Sequence, residues 1–119
     1  MKTRIAINGF GRIGRNLFRL LLNHPTIEVV AINDIADNKT MAHLVKYDSI
    51  HGVLNRKVSF SEDSISIDDK SYLFFHEREI KNLDWKSINV DIVIESTGKF
   101  KTFEEINQHI LAGAKKVIL

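Results

Sequence analysis

Four apolar runs punctuate the chain, Ile5–Ile7, Val29–Ile32, Val90–Ile94 and Val117–Leu119, and they read as strands of a parallel sheet covered on both faces. Between the first two the apolar spacing becomes helical. From residue 11 to 24, Ile13, Leu17, Leu20 and Leu21 recur at helix period, and Phe18 and Leu22 widen the buried face. Pro25 stops that segment, because proline disfavours helical backbone at the residue before it. Thr40–Tyr47 predicts a short helix with Met41, Leu44 and Val45 inward, and Thr102–Leu111 another with Phe103, Ile106, Ile110 and Leu111 apolar. In the middle, Val58 and Phe60, Ile65 and Ile67, then Leu73 and Phe75 alternate with polar neighbours, with turns at 61–63 and 68–70. That stretch predicts a small antiparallel meander inserted between parallel units. The pattern as a whole predicts one α/β domain over residues 1–119, a doubly wound, mostly parallel sheet with a small antiparallel insertion.

Composition narrows the class. A chain that is 44% hydrophobic and 27% charged has the apolar surface for a core and is neither disordered nor fibrous. The net charge of +2 is spread over interspersed acids and bases, so neither nucleic acid nor a membrane surface is an expected partner. Cysteine is absent, which excludes a disulfide, a thiolate metal site and a thiol nucleophile within these residues. The five histidines show no ligand spacing with acids on a common face; no metal site is expected, and they read as surface or packing residues. No window reaches the roughly 18 apolar residues of a membrane span, and the chain enters its first strand without a signal segment, so the cytoplasm is the expected location. The last apolar run has no turn or polar cap behind it. A chain cut short inside a larger protein, its catalytic domain missing, is therefore the expectation.

Gly9-Phe10-Gly11-Arg12-Ile13-Gly14 is a GxGxxG, a weak signal alone. Here it follows a buried strand and opens an amphipathic helix. After a second strand comes Asp34, about 20 residues past the last glycine, the spacing of a dinucleotide-binding Rossmann unit. Gly9 would allow the tight turn, Gly11 the approach of backbone to a pyrophosphate, and Gly14 the packing of helix on strand. Backbone N–H groups around Arg12 and Ile13, at the positive end of the helix, would then bind the anion, with Arg12 and Arg15 adding only long-range attraction. Asp34 would accept hydrogen bonds from the adenosine ribose and repel a 2′-phosphate, favouring NAD over NADP. A plain strand-to-helix turn shares the glycines, and an aspartate after a strand also caps helices; the two features together point to the dinucleotide. Trp85 and the phenylalanines read as core, Phe100 excepted, and Arg78 as part of a solvated charge run.

The run Asn8-Gly9-Phe10-Gly11-Arg12-Ile13-Gly14-Arg15 resembles the glyceraldehyde-3-phosphate dehydrogenase family, as do Ala31-Ile32-Asn33-Asp34, residues 46–52, Glu77-Arg78, Glu95-Ser96-Thr97-Gly98 with Phe100, and residues 112–118. The resemblance covers essentially every element. It implies that Arg12 and Ile13 lie on the pyrophosphate of NAD, that Asp34 holds the adenosine ribose, and that Asn8, Gly9, Gly11, Gly14 and Asn33 belong to the same cofactor site. Arg78, Thr97, Gly98 and Phe100 would complete the adenine side. It also implies a cysteine nucleophile and a catalytic histidine in a second domain, an aldehyde phosphate as substrate of the whole protein, and a homotetramer. None of those catalytic residues lies in this chain. Erythrose-4-phosphate dehydrogenase is the near alternative, but typically carries Glu where Asp34 stands and Cys where Ser96 stands. Ile35-Ala36, where the family often has Leu or Pro, is a departure that keeps an apolar wall for adenine. A free-standing nucleotide-binding module without catalysis is the alternative from another class.

Overall fold

The computed structural model describes residues 2–48 and 52–119. Part of the 46–52 motif, Ser49 to His51, lies outside the described residues. In chain order the elements are β1 (Thr3–Asn8), α1 (Arg12–Leu21), β2 (Ile27–Asn33), α2 (Asn38–Lys46), β3 (Tyr47–Asp48), β4 (Gly52–Val53), β5 (Val58–Phe60), β6 (Ser64–Ile67), β7 (Lys70–Phe75), a 3-10 turn (Ile80–Asn82), β8 (Ile92–Glu95), α3 (Phe103–Leu111) and β9 (Lys116–Ile118).

Seven strands form one sheet in the order β5-β6-β7-β2-β1-β8-β9, and β3 pairs with β4 apart from it. β7, β2, β1, β8 and β9 run parallel, so their C-terminal ends emerge on one edge. The meander is joined to this sheet more closely than its alternation predicts. β5 and β6 extend the edge antiparallel, and β7, the last meander strand, is itself parallel to β2 with Ala31 opposite Leu73 and Asn33 opposite Phe75.

Alternation along β1 divides the core in two. Ile5 and Ile7 point to the face covered by α1 and α2, where they pack with Phe10, Phe18, Met41, Val45, Tyr72 and Phe74. Ala6 points the other way, into a smaller cluster with Ala31, Trp85, Val90, Val93 and Ala114. Phe18 anchors the larger face edge-on between Phe10 at 5.6 Å and Tyr72 at 4.8 Å. Each such ring pair adds about 0.5–1.5 kcal/mol beyond the area it buries.

The helical periods hold; the phase is as expected in α2, where Met41, Leu44 and Val45 turn inward, and shifts in α1 and α3. In α1 the buried stripe is Gly14, Leu17, Phe18 and Leu21, an i, i+3, i+4, i+7 set, while Ile13 and Leu20 are exposed. In β7 it is Tyr72 and Phe74 that enter the larger core, Leu73 facing out, because both neighbours of each position are apolar and alternation cannot choose between them. In α3, Phe103, Ile110 and Leu111 are exposed, and the side chain driven inward is His109. Both later helices carry N-caps that explain their starts. Asp37 accepts the Thr40 N–H at 2.7 Å, and Thr102 forms a capping box with Glu105.

Candidate functional site

The parallel strands β7, β2, β1 and β8 release the chain into loops that all contribute to one cleft of about 490 Å³. Ligands of open parallel sheets bind at this edge, in sites of this size.

The floor of the cleft is the glycine loop between β1 and α1. Gly9 holds φ at +99°, and a Cβ there would stand 2.7 Å from the Thr97 nitrogen, so the loop lies directly against the turn after β8. A Cβ on Gly14 would stand 2.3 Å from the Gly9 carbonyl oxygen and 3.1 Å from Ile7, which fixes α1 against its strand. Gly11 has the opposite surroundings: nothing lies within 4 Å of its Cβ position. It lines the cleft and is the N-cap of α1, with no side chain to accept from the first-turn N–H groups and no acidic residue in that turn. Bare N–H donors at the positive end of a helix, beside open space, suit an anionic group.

Contacts to Phe10 brace the loop. Phe10 buries its ring against Phe18 and Phe74. The Arg15 guanidinium donates to the Phe10 carbonyl at 3.0 Å, so this arginine braces the loop rather than only attracting phosphate at long range. Asp34 Oδ2 accepts the Phe10 N–H at 2.7 Å, and Asp34 Oδ1 accepts the Ala36 N–H at 3.0 Å. A carboxylate has about four acceptor positions. Half-buried on the cleft wall, Asp34 therefore keeps acceptor capacity on both oxygens for a ligand.

On the other side of the loop β8 ends in Glu95, which is buried. Its Oε1 accepts the Asn8 side-chain amide at 2.7 Å and His109 Nε2 at 2.8 Å; its Oε2 accepts the Thr97 hydroxyl at 2.7 Å and the Thr97 N–H at 3.1 Å. His109 Nδ1 accepts the Trp85 indole N–H at 3.0 Å. The indole only donates, so Nδ1 carries no proton and Nε2–H is directed at Glu95. The imidazole is neutral and the carboxylate charged. Burial pushes the Glu95 carboxyl up; the hydrogen bonds from His109, Thr97 and Asn8 outweigh it and hold the group below its ordinary value. The network continues: Asn33 donates to Asn8 Oδ1 at 2.8 Å and brackets the Glu77 peptide, accepting its N–H at 2.8 Å and donating to its carbonyl at 2.9 Å.

The family described as "Glyceraldehyde 3-phosphate dehydrogenase, NAD binding domain" matches residues 3–103. The chain belongs to that family. NAD is the cofactor that goes with it. Over 119 residues it is 51% identical to the glyceraldehyde-3-phosphate dehydrogenase of Geobacillus stearothermophilus, covering 100% of this chain and 36% of the relative. The Thermotoga maritima and Mycoplasma pneumoniae enzymes of the same name are 52% and 51% identical, each over 98% of this chain and 35% and 34% of their own lengths. The chain thus spans about a third of the curated relatives it matches.

Against this NAD-binding domain the expected cofactor residues fall into three groups. Gly9, Gly11, Asp34, Arg78, Thr97 and Phe100 line the cleft. Asn8 and Asn33 also line it, but both side chains are engaged in the buried network and act on the walls. Arg12, Ile13, Gly14 and Gly98 do not line it: Arg12 and Ile13 are exposed on the first turn of α1, Gly14 is buried beneath it, and Gly98 is exposed with φ +73°. Ile35, Ser96 and Lys99 join the lining, and the Ser96 hydroxyl donates to the Gly9 carbonyl at 2.7 Å. Sequence reasoning missed the Glu95–His109–Trp85 chain. Two signals were present: a carboxylate ending a buried strand needs donors, and His109 stands three residues after Ile106, on the same side of the helix.

Among the described residues no helix is long and apolar enough to cross a membrane, and no group of three or more His, Asp or Glu is placed to hold a metal ion.

Proposed function

We propose that this cleft holds NAD with its diphosphate on the N-terminus of α1 and its adenosine ribose at Asp34, and that the chain serves as the cofactor domain of a phosphorylating aldehyde dehydrogenase. The reaction is oxidation of glyceraldehyde 3-phosphate, with phosphate and NAD, to 1,3-bisphosphoglycerate and NADH. The observation that carries the reading is Gly11: an N-cap without a side chain, beside open space, in a cleft that the Asp34 carboxylate also lines. Bound NAD supplies the hydride acceptor; the residues of this chain bind and orient it. First-turn N–H groups of Arg12 and Ile13 meet the diphosphate while Gly14 lets the helix pack beneath them, Asp34 accepts from the ribose hydroxyls, and Ile35, Arg78 and Phe100 flank the adenine, with Thr97 and Gly98 closing that side. Asp34 also disfavours the extra phosphate of NADP through like-charge repulsion. With no cysteine in its sequence, the chain has no thiol for the acyl-transfer step, so it binds cofactor without turning over aldehyde. A cytoplasmic homotetramer belongs to the same proposal.

Calorimetric titration of the chain with NAD and NADP tests it. Saturable NAD uptake that exceeds NADP uptake and weakens in Asp34→Ala is the expected result. A folded sample that takes up neither nucleotide, or prefers NADP, would sink the proposal.

A further inference from the structure

Glu95 touches no open part of the cleft, yet the hydrogen bonds that shape both cleft walls converge on it. One oxygen holds the Thr97 peptide and hydroxyl, the residue against which Gly9 is packed. The other holds Asn8, which holds Asn33, which brackets the peptide of Glu77 beside the cleft-lining Arg78. From behind, the neutral His109 anchored by Trp85 fixes the carboxylate's rotamer. We propose that Glu95 is a positioning residue for cofactor binding: a buried carboxylate whose two oxygens set the spacing between the Thr97 rim and the Glu77–Arg78 rim across the glycine loop. This rests on the reading of the cleft as the NAD site.

The donor count dictates what Glu95→Gln does. On the Oε1 side both partners are obligate donors, since Asn8 Oδ1 is already accepting from Asn33 and His109 Nδ1 from Trp85. On the Oε2 side only the Thr97 N–H is obligate; its hydroxyl can turn and accept. The glutamine amide therefore settles toward Thr97, where its NH2 faces the Thr97 N–H donor to donor. The Thr97 peptide is released, and the Asn8 and Trp85 sides are kept. A substitution that merely loosened the fold would instead disturb both sides together.

The test uses wild type and Glu95→Gln with three readouts: NAD affinity by calorimetry, amide hydrogen exchange at Thr97, and emission from Trp85, the only tryptophan in the sequence. The expected result is NAD affinity lower by tenfold or more, Thr97 exchange faster by tenfold or more, and Trp85 emission unchanged. Affinity within twofold of wild type, or unchanged exchange at Thr97, overturns the assignment. Should Glu95→Gln not fold, Thr97→Ala replaces it. This variant removes one donor to Oε2 outside the core and is expected to speed exchange at residue 97 and weaken NAD at least threefold, and no change in either overturns the proposal. If wild type itself takes up no NAD, the cofactor reading fails, and the exchange comparison still decides whether Glu95 holds the Thr97 rim.

Discussion

Asp34 follows β2 and Glu95 ends β8, so two carboxylates flank the glycine loop of β1 from opposite sides. Each holds the loop or its neighbour through backbone N–H groups: Asp34 through Phe10 and Ala36, Glu95 through Thr97. They differ in what is left over. Asp34, half-buried on the cleft wall, has two described donors and spare acceptor capacity directed toward open space. Glu95 is buried with four donors divided evenly between its oxygens, so none of its capacity reaches a ligand. The same chemical group becomes a ligand contact or a scaffold according to how many donors the fold supplies.

The glycines give the sharpest way to break this contrast. Gly9→Ala sets a side chain at positive φ and drives a Cβ to within 2.7 Å of the Thr97 backbone. The strained backbone costs about 1–2 kcal/mol and the overpacking about 1–3 kcal/mol. NAD uptake should be lost and denaturant unfolding should show a destabilisation of that combined size. Gly11→Ala meets nothing within 4 Å; its stability should change by about 1 kcal/mol or less, while NAD weakens roughly tenfold, about 1.4 kcal/mol, because the added methyl faces the diphosphate. Equal losses of stability in the two variants would erase the distinction between the packed and the open glycine.

Asp34 comes next in size. If a charged hydrogen bond is worth roughly 1.5–3 kcal/mol, Asp34→Ala weakens NAD about tenfold to a hundredfold. The alanine also frees the Phe10 N–H, so Asp34→Asn separates the two roles: one amide oxygen can still accept from Phe10 while the charge is gone. In the Asp34→Asn variant the preference for NAD over NADP should shrink, read by parallel titrations, at a stability cost of about 1 kcal/mol because the amide NH2 then faces the Ala36 N–H. A preserved preference would place the selectivity elsewhere in the cleft.

Glu95 makes its difference felt in acid. Its carboxyl is depressed in the folded state below the ordinary value of 4.5, so its contribution to stability is fully present above that pH and is lost as pH falls through the lower folded value. Unfolding by denaturant at a series of pH values should show the loss beginning below 4.5. Glu95→Gln, with nothing to titrate at that position, should lose less over the same interval than wild type. The other depressed carboxylates, Glu28, Asp37, Asp68, Asp91 and Glu105, remain in both proteins and cancel in the difference. Parallel curves would mean that Glu95 carries no net pH-linked stability.

The contrast also shows what was legible in the sequence. The Asp34 side was readable because its chemistry is local: a glycine spacing, two buried strands and an acid at a fixed distance all follow from adjacent residues. Glu95, His109, Trp85, Asn8 and Asn33 meet only through the sheet order β2-β1-β8 and the crossing of α3, contacts that span up to 101 residues of chain. No spacing rule marks them. The phase of α1 was misread for a related reason, whereas that of α2 was read correctly from Met41, Leu44 and Val45. Period identifies a helix, but Ile13 and Leu20 are as apolar as Leu17 and Phe18, and only the position of the sheet selects the buried stripe.

The smallest expected effect tests whether the Glu95 side is rigid as well as connected. Thr102→Ala removes the capping box that starts α3, at a cost of about 1 kcal/mol in denaturant unfolding. Cap effects are confined to the first turn, whereas His109 lies near the other end of the helix, fixed by Glu95 in the sheet and Trp85 in the adjoining loop. Fraying should therefore stop before it reaches the network. NAD affinity should stay within about twofold of wild type, a change of roughly 0.4 kcal/mol or less, and Trp85 emission should be unaltered. If NAD affinity instead fell in proportion to the stability lost, the cofactor cleft would be coupled to α3 as a whole, and Glu95 would be one tie among several.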